Sequence, residues 1–187
     1  MNESLRNEYN KRNVIASNTL HPFLSHLRYY ASQCESVVEI GVDTGTSAIA
    51  IMAGLPDKFI GIDIRKKDEV IELLYKFARE NNIKYEFIQK SSLELEIEST
   101  DMLFIDSLHM YEQLKQELIR HHAKVNKFIV LHDTVLCGDS GMDFPGKRYP
   151  GHGLMKAVQE FLKEYKEWSI LKHYTERFGL MVLKRNN

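Results

Sequence analysis

With 187 residues, 43% of them hydrophobic and 27% charged, the chain is expected to form one domain, 1–187, with a full core. A formal net charge of -1 gives no electrostatic reason to expect nucleic acid or an anionic membrane surface as a partner. Its two cysteines, Cys34 and Cys137, form no disulfide framework and no CxxC pair, and neither a signal-peptide core nor a membrane-length apolar run is present, so a cytoplasmic setting is expected.

Residues 1–35 read as an N-terminal arm and helix. Residues 1–12 are charged. Pro22 suits the first turn of a helix over 21–32, in which Phe23, Leu24, Leu27, Tyr30 and Ala31 recur at helical spacing. Such a helix either packs on a sheet face or covers a cofactor site.

Val37 to Ile40 is a short, mostly β-branched run and predicts a buried strand. Gly41 to Gly45 then forms a tight turn, and Thr46 or Ser47 is placed to cap the helix that follows. Strand, glycine turn and helix together make a nucleotide-type site. The spacing is neither G-x-G-x-x-G nor a P-loop; it reads Glu39-x-Gly41-x-x-x-Gly45. Gly41 would let a ligand approach bare backbone, and Gly45 would permit a close helix-to-strand contact. The turn carries no Lys or Arg, which suits a zwitterionic amino-acid tail better than a pyrophosphate.

A second strand, 58–63, ends on Asp63, about twenty residues past the turn, where a carboxylate can accept hydrogen bonds from ribose hydroxyls. A helix over 68–82 presents Val70, Ile71, Leu74 and Phe77 on one face. The strand at 84–89 leads to Ser91 and Ser92, read either as an adenine-edge position or as a loop cap. Residues 93–99 are too short and acidic for a full helix. The fourth strand, 101–106, ends on Asp106. A helix over 109–124 follows, with His121 and His122 expected to be solvated at its end. The fifth strand spans 127–134 and contains Asp133.

Residues 135–153, with five glycines and two prolines, read as the longest structureless stretch and as a substrate loop. A helix over 153–166 and strands at 168–174 and 178–183 close the chain. The alternation argues for an α/β fold: a doubly wound, mainly parallel seven-stranded sheet ending in an antiparallel strand pair. Asp43, Asp63, Ser91, Asp106 and Asp133 would all sit at one sheet edge.

From Val37 onward the chain resembles class I S-adenosylmethionine (SAM)-dependent methyltransferases, whose fold is Rossmann-like. Phe104-Ile-Asp106-Ser-Leu-His109-Met-Tyr111, Val130-Leu-His132-Asp133-Thr134 and the ending Gly179-Leu-Met-Val-Leu-Lys-Arg185 resemble a subgroup of cephalosporin-hydroxylase-like proteins and macrolide-sugar O-methyltransferases. The resemblance implies SAM binding at Glu39, Gly41, Asp43, Gly45, Asp63 and Ser92. In metal-dependent members, carboxylates after the fourth and fifth strands hold a divalent cation, Mg²⁺ or Mn²⁺. Carried over, these are Asp106 and Asp133, with His132 or Thr134. His132 stands where some members have Glu, which shifts the donor set away from Mg²⁺.

Asp106, His109 and Asp133 are the catalytic candidates, His109 being either a base for a substrate hydroxyl or a structural partner of the aspartates. The expected reaction is methyl transfer to a hydroxyl of a small molecule such as a sugar or natural product. The competing readings are a nucleotide-dependent oxidoreductase or hydroxylase-like protein, and a non-catalytic subunit that keeps the fold. The core fold leaves the acceptor wall to the 135–153 loop, the N-terminal arm or a second subunit of a homo-oligomer.

Overall fold

The computed structural model describes residues 1–14, 19–143 and 146–186. Residues 15–18 of the N-terminal arm, 144–145 of the glycine-rich loop and the last residue lie outside it. In chain order the elements are α1 (Glu3–Arg12), a 3-10 turn (His21–Phe23) running into α2 (Leu24–Ala31), β1 (Ser36–Ile40), α3 (Thr46–Met52), β2 (Lys58–Asp63), α4 (Asp68–Glu80) and β3 (Lys84–Gln89). Then come a 3-10 turn (Ser92–Glu94), β4 (Thr100–Ile105), α5 (Tyr111–His121) with a 3-10 turn (His122–Lys124), β5 (Val125–His132), β6 (Ser140–Met142), β7 (Arg148–Pro150), α6 (Leu154–Glu164), β8 (Trp168–Tyr174) and β9 (Leu180–Arg185).

The main sheet has the order β3-β2-β1-β4-β5-β9-β8. Its first five strands are parallel, and β9 runs antiparallel to both β5 and β8. The chain thus winds outward from β1 in one direction, returns, and continues from β4 in the other. The switch point between β1 and β4 is where ligands of such sheets bind.

Burial explains why the strand sequences look as they do. β1 and β4 are covered on both faces, so they are nearly continuous apolar runs rather than alternating ones. Alternate side chains serve different layers. Met102 and Phe104 join Phe59, Phe23 and Leu27 under α1 to α4, whereas Leu103 and Ile105 join Leu114, Leu118, Val158 and Phe161 under α5 and α6. Each fully buried side chain of this size contributes about 1.5–3 kcal/mol. Among the described residues, no helix is long and apolar enough to cross a membrane.

Four expectations need correction. First, Gly45 itself, at φ +71°, precedes α3, with no side-chain cap bond from Thr46 or Ser47. A Cβ on Gly45 would lie 2.8 Å from Val70 Cγ1, so its close contact is with helix α4 rather than with a strand. Second, the ligand reason for Gly41 is joined by one from the protein's own backbone. It has φ +95°, and a Cβ there would overlap the carbonyl of Asp106, lying 2.7 Å from its carbon.

Third, residues 135–153 are not structureless, since β6 and β7 pair as an antiparallel hairpin. Met142 N–H donates to His109 O at 2.8 Å and Arg148 Nη1 donates to Leu136 O at 2.7 Å, so the hairpin is fastened beside the strand ends. Fourth, His121 and His122 are buried. His121 Nε2 lies 3.0 Å from Ser92 O, and the His122 ring packs on Phe161 and Tyr165 of α6. The cause is that α5 packs along α6 and its end meets the turn at Ser92 and the rings of α6 instead of reaching solvent.

Glu39 stands in the middle of a strand buried on both faces. One carboxylate oxygen accepts a short hydrogen bond from Ser47 Oγ of α3, and the other is buried without a partner. Burial pushes its carboxyl up to about 8, against the opposing bond from Ser47.

Two outcomes follow from this frame. Gly41→Ala should lower unfolding free energy in denaturant melts by about 2–4 kcal/mol, because both the left-handed φ and the Asp106 carbonyl oppose a side chain; a loss under about 0.5 kcal/mol would contradict the contact. For Glu39, the folded chain keeps a proton that the unfolded chain releases near 4.5, so stability falls as pH rises from there through about 8. Glu39→Gln should remove that slope and gain on the wild type over this interval, whereas parallel stability–pH curves would refute it.

Candidate active site

An open cavity of about 710 Å³ lies over the carboxyl ends of β1, β2, β3, β4 and β5. This is the size of a small-molecule site, roughly 300–1,000 Å³.

One side is the turn after β1. Asp63 at the end of β2 organises it: its Oδ2 accepts from Val42 N–H and Asp43 N–H, both at 3.0 Å, and its Oδ1 accepts from Arg65 N–H at 2.9 Å. Three of the carboxylate's four lone-pair positions are taken, and one on Oδ1 remains. Asp43, at φ +41°, is exposed and paired with Lys67.

The turn itself lacks basic residues, but the fold brings Arg12 to it as well as Lys67. Arg12 Nη1 of α1 donates to Thr44 O and Thr46 Oγ1, both at 2.9 Å, while its Nε donates to Glu8. Nothing in the local sequence of the turn signals Arg12, which is more than thirty residues away. Glu39 and Gly45 do not border the cavity; Glu39 acts beneath the turn by holding Ser47, which does border it.

The far end holds four converging side chains. His109 Nε2 lies 3.2 Å from Asp106 Oδ1 and 2.9 Å from Asp133 Oδ2. His132 Nδ1 lies 3.2 Å from the same Asp106 oxygen and 3.5 Å from the same Asp133 oxygen. Strand alternation alone would send His132 and Asp133 to opposite faces. Asp133 escapes this because it follows the last residue of β5 in a left-handed conformation, φ +57°, which turns its carboxylate back over the strand end.

The electrostatics follow from burial and pairing. Burial works to raise the Asp106 carboxyl, but His132 and His109 outweigh it and hold the group well below the usual carboxylate range. Burial opposes the His109 imidazolium, yet its bonds to Asp106 and Asp133 push it up to about 12. His132 is likewise raised, by Asp106 first among its partners, against burial.

Asp106, His109 and Asp133 offer three ligand atoms all within 4.8 Å of one another. The expected cation set named His132; the structure groups His109 with the two aspartates and keeps His132 close behind them. Asp133 Oδ1 and His132 Nε2 are buried without partners. Two hard carboxylate oxygens and an imidazole nitrogen fit a divalent cation, with Mn²⁺ suited better than in an all-oxygen site.

The third side is made by Ser91 and Ser92 after β3, Ser107 after β4 and Gln113 on α5. Ser92 borders the cavity as the sequence suggests, but its hydroxyl donates inward to Glu117 Oε1 at 2.7 Å, so that proton is not available to a ligand. Gln113, Glu117 and His121 follow one another at intervals of four. This polar stripe beside Leu114 and Leu118 is the sequence signal that could have revealed the network.

Comparison with known proteins gives the same picture. No curated protein matches the chain. Solved structures share the fold at low identity. A 1,6-didemethyltoxoflavin-N1-methyltransferase of Burkholderia thailandensis, solved with S-adenosylhomocysteine (SAH), is 12% identical with a TM-score of 0.68 over 98% of this chain and 86% of that one. The O-methyltransferase TomG of Streptomyces achromogenes, solved with SAM, is 16% identical with a TM-score of 0.64 over 100% and 91%. An O-methyltransferase of Bacillus cereus, solved with SAH, is 13% identical with a TM-score of 0.60 over 98% and 90%. The sequence profile described as rhamnosyl O-methyltransferase/CmcI matches residues 29–186. With that match spanning most of its length, and with the seven-stranded sheet and switch-point cavity described above, the chain belongs to the rhamnosyl O-methyltransferase/CmcI family of SAM-dependent methyltransferases.

Proposed function

We propose that the protein transfers the methyl group of SAM to a hydroxyl of a small molecule, a sugar or related natural product, and that the Asp106, His109, His132 and Asp133 cluster activates that hydroxyl. The reading rests on one observation above the others: two carboxylates and two imidazoles meet where β4 and β5 end, in the same cavity as the glycine turn.

The cavity residues fit SAM. The Gly41–Thr44 turn offers bare backbone to the amino-acid tail, flanked by Asp43, with Gly45 and Glu39 supporting the turn from behind. The remaining lone pair of Asp63 Oδ1 is the acceptor for a ribose hydroxyl. Bound SAM supplies a methyl group already activated by the sulfonium, so the protein's work is placement, exclusion of water and removal of the acceptor's proton.

His109 cannot take that proton while it stands as an imidazolium between two aspartates. The carboxylates are the proton acceptors instead: among the described residues Asp106 Oδ2 and Asp133 Oδ1 are the two oxygens of the pair that accept no hydrogen bond, and only the Asp133 oxygen is fully buried. A divalent cation, Mg²⁺ or Mn²⁺, would take the place of the His109 Nε2 proton, so that neutral His109 would hold it together with Asp106 and Asp133, with His132 bracing the aspartates. Such an ion lowers the pKa of the acceptor hydroxyl and orients it.

The β6–β7 hairpin supplies the acceptor side of the cavity through Met142, Asp143 and Gly146, and Leu20 of the N-terminal segment also lines it. Residues 135–153 thus serve as the substrate loop. Leu20, Leu108, Leu136 and Phe178 add apolar surface around the cluster, which favours an acceptor with an apolar face beside its hydroxyl.

Asp106→Ala and Asp133→Ala should each lower turnover about a hundredfold or more, while calorimetric SAH affinity changes by less than about threefold. Chelator should abolish methyl transfer, and Mg²⁺ or Mn²⁺ should restore it. Full turnover in excess chelator would remove the cation from the mechanism, and full turnover in either alanine variant would remove the cluster.

A further inference from the structure

Glu117 of α5 is a fully buried carboxylate that no step above uses. Three donors converge on it. Ser92 Oγ and Gln113 Nε2 reach Oε1 at 2.7 and 2.9 Å, and Ser107 Oγ reaches Oε2 at 2.8 Å. Ser92 and Ser107 come from the ends of β3 and β4, which are separated in the sheet by β2 and β1. One side chain therefore ties the two sides of this wall together.

The network also fixes an orientation. Gln113 Nε2 donates a second hydrogen bond to Ser92 Oγ at 3.2 Å, so both of its N–H groups are used. Ser92 gives its own proton to Glu117 Oε1, and that oxygen, taking hydrogen bonds from both Ser92 and Gln113, can only accept, so that although burial pushes the Glu117 carboxyl up, any proton it keeps belongs on Oε2. The amide of Gln113 must then turn its nitrogen inward. Its carbonyl oxygen makes no hydrogen bond with the described residues, and Gln113 borders the cavity at partial exposure. The one polar function this side chain has left for a ligand is an acceptor.

That wall has a natural occupant if the cofactor is SAM. The tail belongs at the glycine turn, the ribose at Asp63 and the sulfonium near the aspartates, which leaves Ser91, Ser92, Ser107 and Gln113 for the base. We infer that Gln113 Oε1 accepts a hydrogen bond from the exocyclic amino group of adenine, and that Glu117 is the positioning residue that locks the amide in the accepting orientation. This assignment rests on the cofactor reading above. It makes Gln113 a specificity determinant: a base with a carbonyl at that position presents an acceptor to an acceptor, with no amino group to satisfy Oε1.

The test is calorimetry on the full chain with SAH and with S-inosylhomocysteine, which carries the carbonyl. The wild type should bind SAH at least about tenfold more tightly. In Gln113→Leu the preference should collapse to within about threefold, mainly through loss of SAH affinity. Glu117→Gln can donate to Gln113 Oε1 and so frees the amide to flip; the preference should fall there too, with Gln113 still present. A purely structural role would weaken both ligands alike and leave the ratio at its wild-type value, which would overturn the assignment for whichever residue showed it. Because Gln113 is partly exposed, its variants carry the test even if Glu117→Gln fails to fold. A wild type that binds SAH without preference overturns the role of Gln113 alone, whereas one that binds neither ligand overturns the cofactor reading with it.

Discussion

The site depends on one close approach of backbone to backbone. Gly41 leaves β1 at the point where Asp106 leaves β4, and no room exists between them for a Cβ. Asp106 N–H donates to Ile40 O at 2.9 Å, and Gly41 N–H donates to Ile62 O at 2.9 Å, so three neighbouring strand ends are held together there. The glycine turn and Asp106 are therefore parts of one contact. A shift of the turn moves Asp106 with it, and in the proposed reaction the distance from methyl donor to proton acceptor would be set by the sheet rather than by flexible side chains. Methyl transfer needs in-line placement more than covalent help, and a rigid junction of this kind supplies it.

Concentrating charge at that junction works against the fold and is compensated locally. Asp106 and Asp133 sit close enough to repel unless a positive charge intervenes. His109 and His132 supply it from two directions, sharing the same two carboxylate oxygens. Asp133 and Asp43 both adopt left-handed backbone conformations unusual for a residue with a side chain, and both border the cavity. Strain of this sort persists where surrounding structure overdetermines it. Here the supports are visible: Cys137 N–H donates to Asp133 O, the Val135 and Leu136 N–H groups donate to Phe178 O, and Asp63 holds the turn at Asp43.

The sequence was readable wherever one element carries its own signal. Four of the parallel strands carry apolar runs and the edge strand β3 alternates, and β2 ends on an aspartate while Asp106 and Asp133 follow β4 and β5 directly; these local patterns suffice to place the sheet, the glycine turn and the two carboxylates. The resemblance carried in Phe104–Tyr111 and Val130–Thr134 added the reaction class. What stayed hidden depends on partners distant in sequence. Arg12 reaches the turn because α1 packs on α3; His121 and His122 are buried because α5 folds against α6; and Gln113 acquires a fixed amide only through Ser92 and Glu117. At Gly41 the sequence points to a ligand, whereas the need for glycine that the fold itself imposes, the close Asp106 carbonyl, comes from a strand more than sixty residues away. The hairpin in 135–153 was masked by its glycines and prolines, which mark turns and say little about the short pairing between them.

A crystal structure with SAH bound gives the most direct answer to whether these parts act together. Its homocysteine tail is expected on the Gly41–Thr44 turn, its ribose at Asp63, and its sulfur directed toward the Asp106 and Asp133 carboxylates, with the acceptor space between them. SAH bound with tail and base exchanged, or with its sulfur facing away from the two aspartates, would contradict the coupling of cofactor turn and catalytic cluster from which the proposed reaction follows.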